Sequence, residues 1–284
     1  MFDFLNNQFA NKIRAMLQVS PAEFQKQITA YKSFFEVSFD SKQLTNNEIV
    51  VREGNFIYTN PHSQIEGRAY LYLPNYKVKE YKKFPKYHLY NCETAQKYAG
   101  YVYSNADLVD IRCSNTGEKY KDKKLAPCQN CADIFKEKTA QSLYGKSFQQ
   151  AILDIAEKET EENKQRSAAN GYAINWGEIS SAYRHTKAYK CESCAIQMTE
   201  KTHQHYIETH HKDGNKMNNK TANFQSLCVL CHASVDARHE INYSIKENSA
   251  KVKNFIDLFE NQSSACNTEK LNHWKTKLNQ LLSI

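Results

Sequence analysis

The chain has 284 residues, of which 40% are hydrophobic and 12% aromatic, enough to bury one large core or several modest ones. Its 38 Lys and Arg exceed its 31 Asp and Glu, and the resulting charge of +7 favours a polyanionic partner over a cationic one. No apolar run approaches the roughly 18 to 20 residues that a bilayer span needs, so we expect no membrane partner and a cytoplasmic location.

Apolar residues at helical spacing predict two helices between residues 5 and 36. Short apolar runs broken by Asn, Gly and Pro then predict strands, among them NEIVVREGNFIYTN and GRAYLYLP. The run at 141–169 is predicted to be a helix that fades into a charged stretch. We therefore predict an α+β chain with a mixed α/β region at 1–79, a zinc-binding module at 80–140, a helical linker at 141–170, a Cys- and His-rich domain at 171–245 and a helical hairpin at 246–284.

Six of the nine cysteines form three Cys-x2-Cys pairs. Disulfides are not the expected use of these thiols, because the chain is neither small nor evidently exported. A Cys-x2-Cys turn presents two thiolates to one zinc ion, and two such turns close a tetrahedral site. The two downstream pairs therefore predict a structural zinc site made of Cys191, Cys194, Cys228 and Cys231.

A second zinc site is predicted upstream. KYHLYNC supplies His88 and Cys92, and APCQNC supplies Cys128 and Cys131, which together make an ordinary Cys3His set. Two alternatives stay open: Cys113 replaces His88 as the fourth ligand, or these residues are unliganded buried thiols. Zinc here would be structural, and the nearby KYKDKK at 119–124 could position nucleic acid.

Two adjacent histidines, His210 and His211, stand in the stretch ETHHKDGNKMNN between the downstream cysteine pairs. Neighbouring side chains on a strand point to opposite faces, so the pair is predicted to serve two different purposes. Asn223 follows, and His232 comes directly after the last cysteine of the pairs, at the start of a helix predicted over HASVDARHEI. For any single histidine, a surface or supporting role is the alternative.

The motifs YKCESC, IETHHKDGNKMNN and NFQSLCVLCH, in this order between about residues 176 and 239, resemble those of HNH, or ββα-metal, endonucleases. The resemblance covers about a quarter of the chain and implies an HNH nuclease domain at 171–245. It implies a structural zinc and one catalytic divalent ion, with Mg²⁺ expected and Mn²⁺, Ni²⁺ or Zn²⁺ as alternatives.

The resemblance also implies individual roles. His211 would be the general base, while His210 and His232 would bind the catalytic metal ion. Asn223 would hold the loop near His211 by hydrogen bonds to its backbone.

A third metal ligand is expected at Asp236, where some relatives have a histidine one helical turn after His232. The alternative is a carboxylate that only favours the start of a helix. His239 is predicted to share a helical face with both. The candidates for phosphate contact are Lys212, Lys216 and Lys220.

The expected activity is hydrolysis of DNA phosphodiester bonds by a nuclease of a restriction or anti-phage defence type. One alternative is a nuclease that acts on structured RNA such as tRNA, and another is an inactive, zinc-stapled nucleic-acid-binding protein. DNA is the expected partner. A homodimer or a partner protein of a defence system is a further expectation, because one such site cuts one strand at a time.

Overall fold

The computed structural model describes residues 43–44, 49–59, 66–162, 164–168 and 170–282. The two helices predicted between residues 5 and 36 lie outside this part of the chain. The described part mixes helices with small sheets, as the α+β prediction requires. It contains no helix that is long and apolar enough to cross a membrane.

The strands of the described residues are β1 (Ile49–Arg52), β2 (Asn55–Thr59), β3 (Glu66–Tyr72), β4 (Asn75–Tyr76), β5 (Val102–Ser104), β6 (Val109–Cys113), β7 (Lys119–Lys123), β8 (Ile207–His211) and β9 (Phe224–Cys228). The helices of the described residues are α1 (Val78–Tyr81), α2 (Glu93–Gln96), α3 (Gln129–Thr139), α4 (Phe148–Glu161), α5 (Trp176–Thr186), α6 (Val229–Ala233), α7 (Ala237–Tyr243) and α8 (Lys246–Leu282). Two 3₁₀ turns, Lys201–Tyr206 and Thr221–Asn223, precede β8 and β9.

The largest sheet has the order β1-β2-β3-β5, and each neighbouring pair is antiparallel. The strands predicted in NEIVVREGNFIYTN and GRAYLYLP are therefore confirmed. Glu53 and Gly54 join β1 to β2 with φ of 49° and 74°, the left-handed backbone that a two-residue hairpin turn needs. A second sheet has the order β4-β6-β7, with β4 parallel to β6.

The helix α4 lies inside the larger core. Ser147 caps it by accepting a hydrogen bond from the backbone of Gln150 at 3.0 Å, and its apolar face buries Ile152 and Ile155. The same core contains Ile179 of α5 and residues of the first sheet. The stretch at 141–170, predicted to be a helical linker, thus contains a helix with a buried apolar face. The domain bounds themselves stay a prediction.

An antiparallel hairpin followed by two short helices forms the Cys- and His-rich region. In this hairpin Ile207 of β8 pairs with Cys228 of β9, and His211 pairs with Phe224. The single helix predicted over HASVDARHEI is wrong: α6 ends at Ala233, and Asp236 adopts an extended backbone with φ −155° and ψ 175°.

The long helix α8 bends, with non-helical backbone at Phe259 and Asn267. Lys275 forms an ion pair with Glu260, so the segments before and after the bend contact each other, as the predicted hairpin requires. Trp274 is fully buried in the smaller core, which also holds Leu227 of β9. This core supports the back of the histidine-rich hairpin.

Candidate metal centres and active-site cleft

Four cysteines meet at the edge of the smaller core. The sulfur atoms of Cys191, Cys194, Cys228 and Cys231 all lie within 4.8 Å of one another and can hold a metal ion. Each Cys-x2-Cys turn is tightened by a backbone N–H that faces its first sulfur, from Cys194 to Cys191 at 3.5 Å and from Cys231 to Cys228 at 3.4 Å. Hydrogen bonds from the neighbouring thiols hold the pKa of Cys191 far below its usual range. Four thiolates in two knuckles fit zinc.

The upstream set also comes together. His88, Cys92, Cys128 and Cys131 place one nitrogen and three sulfurs within 4.8 Å of one another, and all four residues are buried. This donor set fits zinc, whereas Cys113 lies outside it and its thiol faces Oδ1 of Asn115 at 2.8 Å.

Tyr101 orients His88 in the upstream set. Its hydroxyl lies 3.1 Å from Nε2 of His88, while Nδ1 lies 3.3 Å from Sγ of Cys92. Burial lowers the pKa of His88, which favours the neutral imidazole that a metal ion needs. The side chain of Cys266 is outside the described part of the structure.

Three histidines form a third group. His210 at the end of β8, His232 on α6 and His239 on α7 place their ligand nitrogens within 4.8 Å of one another. Their ring centres are 5.0 to 5.2 Å apart. Burial, followed by the neighbouring imidazoles, lowers the pKa of His210 to about 4. The imidazole of His210 is therefore neutral at pH 7 and offers a nitrogen lone pair to a cation.

Carboxylates hold two of these three rings. Oε2 of Glu208 lies 2.8 Å from Nδ1 of His232, and Oδ1 of Asp236 lies 2.7 Å from Nδ1 of His239. In each ring the Nδ1 position is thus used, which leaves Nε2 for a metal ion. Burial opposes ionisation of Glu208, but the charges and hydrogen bonds of Lys251 and His232 together outweigh it and hold the pKa of this carboxyl well below its usual range.

Asp236 does not take the position expected of it as a ligand. The three-histidine group contains His239 instead, and the Asp236 carboxylate caps α7 by accepting from the backbone N–H of His239 at 2.8 Å. These hydrogen bonds to His239 lower the pKa of Asp236 to about 2. The physical reason is the break between α6 and α7, which turns residue 236 into a helix cap and brings residue 239 beside His232.

The side chain of His211 points to the face of β8 opposite that of His210. Its ring packs on Trp176 with ring centres 4.4 Å apart, and its Nε2 lies 3.1 Å from Oδ1 of Asn219. Asn219 is itself fixed, since its amide nitrogen donates to Oε1 of Gln165 at 3.0 Å. The amide oxygen of Asn219 therefore accepts from Nε2–H, and the tautomer leaves a lone pair on Nδ1 of His211.

Asn223 fixes the loop that follows His211. Its side-chain oxygen accepts from the backbone of Asp213 at 3.1 Å, and its side-chain nitrogen donates to the carbonyl of Asn218 at 2.9 Å. Its backbone carbonyl accepts from Lys212 at 2.8 Å. This is the loop-holding arrangement expected of Asn223, without a direct contact to the imidazole of His211 among the described hydrogen bonds.

One cleft of about 600 Å³ joins both faces of the histidine pair. The residues that border it include His210, His211, His232, His239, Trp176 and Tyr172. Cations stand at its border as well, among them Arg238 and Lys216. At the end of β8, the three-histidine group and the imidazole of His211 therefore face the same cleft.

Comparison of the chain with known protein families, curated proteins and solved structures assigns it to no family. No family model, no curated protein and no solved structure matches this chain. The geometry of the cleft is therefore the main support for any functional conclusion.

Among the three lysines predicted to contact phosphate, only Lys216 borders the cleft. Its ammonium lies 4.4 Å from the ring centre of Tyr172 and donates to the carbonyl of Asn170 at 3.1 Å. Lys212 and Lys220 are exposed but are not among the residues that border the cleft. A phosphate role thus stays a prediction for all three, with structural support for Lys216.

Sequence reasoning missed several supporting residues. It named neither Glu208 nor Asn219, and it treated His239 only as a neighbour on a shared helical face. Glu208 stands two residues before His210, where alternation along the strand places both side chains on the same face. That spacing was the available signal for Glu208, whereas the position of Asn219 depends on a loop whose path the sequence does not specify.

Proposed function

We propose that the protein is a metal-dependent endonuclease of the HNH, or ββα-metal, type that hydrolyses phosphodiester bonds of DNA. The observation that carries this proposal is the end of β8, where His210 joins a three-histidine group while His211 faces the same cleft from the other side of the strand. Hydrolysis of a phosphodiester needs a base for the attacking water and a cation for the charge on the phosphate. The adjacent side chains of His211 and His210 are the proposed base and a proposed ligand of that cation.

His210, His232 and His239 would hold the divalent ion. A bound divalent ion would neutralise charge on the phosphate and on the leaving oxygen. The donor set fits a metal ion of the imidazole-binding kind, since all three donors are nitrogens and no carboxylate is among them. Zn²⁺ and Ni²⁺ are therefore favoured over the Mg²⁺ expected from sequence, because Mg²⁺ prefers oxygen ligands.

His211 would act as the general base through Nδ1. Its Nε2 is held by Asn219, and Trp176 supports one face of its ring. No other hydrogen bond to the imidazole of His211 occurs among the described residues, so its Nδ1 is free to accept a proton from water. Burial lowers the pKa of His211, which keeps the imidazole neutral and able to accept that proton at pH 7.

The cleft also offers positive charge to a nucleic-acid backbone. Arg238 and Lys216 are exposed at its border and form no ion pair with any other described residue. Uncompensated cations beside a catalytic site attract phosphate and position the strand. The Cys191 to Cys231 group would bind zinc and fix the two ends of the hairpin, and the upstream set would bind a second zinc.

The experiment that tests this function measures cleavage of several nucleic acids. Supercoiled plasmid, linear duplex, single-stranded DNA and tRNA are each incubated with the full chain and Zn²⁺, Ni²⁺, Mn²⁺ or Mg²⁺. We expect DNA to be cleaved, and we expect chelator and the His211→Ala variant to stop cleavage. Cleavage of tRNA alone would move the substrate to RNA, and binding without cleavage of any substrate would contradict the nuclease proposal.

A role in restriction or anti-phage defence is part of the proposal and rests on the combination of such a nuclease site with an additional upstream region. A single site of this kind cuts one strand at a time. Conversion of supercoiled plasmid to the nicked form before the linear form would therefore be expected of a monomer, and direct linearisation would indicate a dimer.

A further inference from the structure

A second cleft, of about 400 Å³, lies on the other side of α5 from the histidine cleft. Trp176 and Ser180 of this helix border the histidine cleft, whereas Asn175 and Glu178 border the second one. Residues two apart on a helix point in nearly opposite directions, so one helix separates the two spaces. The upstream sheet closes the second cleft with residues of β1 to β3.

Glu178 forms the floor of the second cleft. Only 6% of this residue is exposed, and its Oε1 accepts a hydrogen bond from the backbone N–H of Arg68 at 2.6 Å. Its Oε2 is buried and has no hydrogen-bond partner among the described residues. A buried carboxyl oxygen without a partner is costly, and it is found where a ligand or water supplies the partner.

Gly67 lies beside the carboxyl group of Glu178. A Cβ at this position would lie 3.7 Å from Cδ and from Oε1 of Glu178 and 3.3 Å from the ring of Tyr58. A larger side chain at residue 67 would therefore crowd both the carboxyl group and this ring.

Two exposed guanidinium groups stand at the border of the cleft. Arg52 and Arg166 both pair with the single carboxylate of Glu66, and 44% and 57% of their side chains are exposed. Glu53 and Glu159 also border the cleft, so both signs of charge are present there, and the two guanidinium groups supply exposed hydrogen-bond donors. Guanidinium donors in a fork suit the oxygens of a phosphate.

We propose that this cleft is a second ligand site that takes a nucleotide, with the edge of the base on Glu178 and the phosphate at Arg52 and Arg166. A nucleobase edge carries the N–H donors that the unpaired Oε2 lacks, and the phosphate carries the acceptor oxygens that suit the two exposed guanidinium groups. The ligand is either a free nucleotide or an unpaired nucleotide of a strand, since both present the same groups.

The site is connected to His211 by hydrogen bonds. Gln165 borders the second cleft and precedes Arg166 directly, and its Oε1 accepts from Asn219 at 3.0 Å. Asn219 in turn holds Nε2 of His211 at 3.1 Å. Occupancy of the cleft is therefore communicated to the base of the nuclease, a step that rests on the function proposed above for His211.

The test measures binding without relying on cleavage. Calorimetry in the absence of added divalent ions compares AMP, GMP, CMP, UMP and a short single-stranded oligonucleotide on the full chain and on three variants. Glu178→Gln keeps the acceptor for the backbone of Arg68 but replaces Oε2 by a donor, and Arg166→Ala removes charge at the mouth. Glu137→Gln, on an exposed position of α3, is the matched control.

We expect at least one nucleotide to bind the unmodified chain and Glu137→Gln equally, and to bind Glu178→Gln and Arg166→Ala about tenfold or more weakly. If the oligonucleotide binds with this pattern and the free nucleotides do not, the ligand is a nucleotide of a strand. Absence of binding by all five ligands, or equal binding to Glu178→Gln, would overturn the site.

Cleavage provides an independent readout. Addition of the bound nucleotide is expected to change the cleavage rate of the unmodified chain, and Gln165→Ala is expected to remove this response while nucleotide binding remains. If the nucleotide binds and no substrate is ever cleaved, the proposed nuclease function fails while the second site stands. If cleavage occurs but is insensitive to bound nucleotide in the unmodified chain, the connection through Gln165 is wrong.

Discussion

The Oδ1 atom of Asp236 lies 2.7 Å from Nδ1 of His239, so this carboxylate holds a histidine ring in place of joining the three-histidine group itself. The same oxygen accepts from the backbone N–H of His239. Asp236 thus starts α7 and fixes the ring that α7 carries. A carboxylate in this position raises the basicity of its imidazole and sets which nitrogen faces a metal ion.

Removal of these two side chains is expected to have unequal effects on metal affinity. His239→Ala deletes one of the three proposed ligands and should abolish tight binding at the histidine group, whereas Asp236→Ala should weaken it by about 10- to 100-fold. Competition with a chromophoric chelator measures both affinities. Circular dichroism controls for the lost helix cap, which costs about 1 kcal/mol. Equal losses for the two variants would instead make Asp236 a ligand.

Metal preference follows from the all-nitrogen donor set. After any metal ion is removed from the histidine group, this group should bind Ni²⁺ and Zn²⁺ much more tightly than Mg²⁺. The reason is that imidazole nitrogens suit Ni²⁺ and Zn²⁺, whereas Mg²⁺ prefers oxygen ligands. Calorimetry on the unmodified chain, with His239→Ala as the control, isolates this site from the cysteine groups. Preferential binding or activation by Mg²⁺ would show that the three histidines are not the cation site.

Zinc content tests the two cysteine groups. After the histidine group is emptied with a weak chelator, about two zinc ions per chain should remain. Cys228→Ser and Cys128→Ser should each lower the content by about one, as measured by elemental analysis. Cys113→Ser is the control and should leave the content unchanged, since Cys113 lies outside both groups. A loss of zinc in Cys113→Ser would reopen its candidacy as a ligand in place of His88.

Short-range patterns made most of the site predictable. The Cys-x2-Cys spacing named the downstream cysteine group and half of the upstream one, whose other half is the close pair His88 and Cys92. The alternation of a strand separated His210 from His211, because this rule depends only on local backbone geometry. The strands β2 and β3 followed from β-rich runs for the same reason. Each of these features is set within a few residues of chain.

The errors came from geometry that is not local. One continuous helix after His232 would have placed residue 236 on the same face, but a break of three residues put residue 239 there. The burial of α4 in the larger core beside α5 was not predicted, because the charged end of this stretch masked its apolar face. Asn219 was missed because its contact with His211 is made across a loop, and loop paths depend on contacts far apart in sequence.

Loss of the proposed base should remove cleavage without removing binding. His211→Ala is expected to lower the cleavage rate by about 10²- to 10⁴-fold, the usual contribution of a general base, while metal content and DNA affinity stay near those of the unmodified chain. A gel assay for cleavage and fluorescence anisotropy for binding measure the two effects. Cleavage at the unmodified rate would remove His211 from this role.

Asn219 should act through His211. Asn219→Ala removes the acceptor that fixes the Nε2–H tautomer, so we expect cleavage to fall by about 10- to 100-fold. Asn219→Asp keeps an acceptor oxygen and should retain more activity than the alanine variant. The double variant with His211→Ala should be no worse than His211→Ala alone. Additive losses would mean that Asn219 contributes independently of the imidazole.

Stability should respond to pH through Glu178. In the chain without a ligand, burial raises the pKa of this carboxyl to about 8, against the opposing charge of Arg68, whereas N–H donors of a bound base would favour its ionised form. The folded chain therefore binds this proton more tightly than the unfolded chain, whose carboxyl titrates near 4.5. The stabilising contribution of the neutral form is complete below pH 4.5 and is lost as pH rises through about 8.

Glu178→Gln stays neutral at every pH and keeps the acceptor for the backbone of Arg68. Its melting temperature relative to the unmodified chain should therefore increase between pH 6 and pH 9, by several degrees if the shift corresponds to about 1 to 2 kcal/mol. Differential scanning fluorimetry with zinc present measures this difference, and Glu137→Gln should follow the unmodified chain. A difference that is the same at both pH values would mean that Glu178 is ionised in the folded protein, with its unpaired oxygen satisfied by a cation or by water.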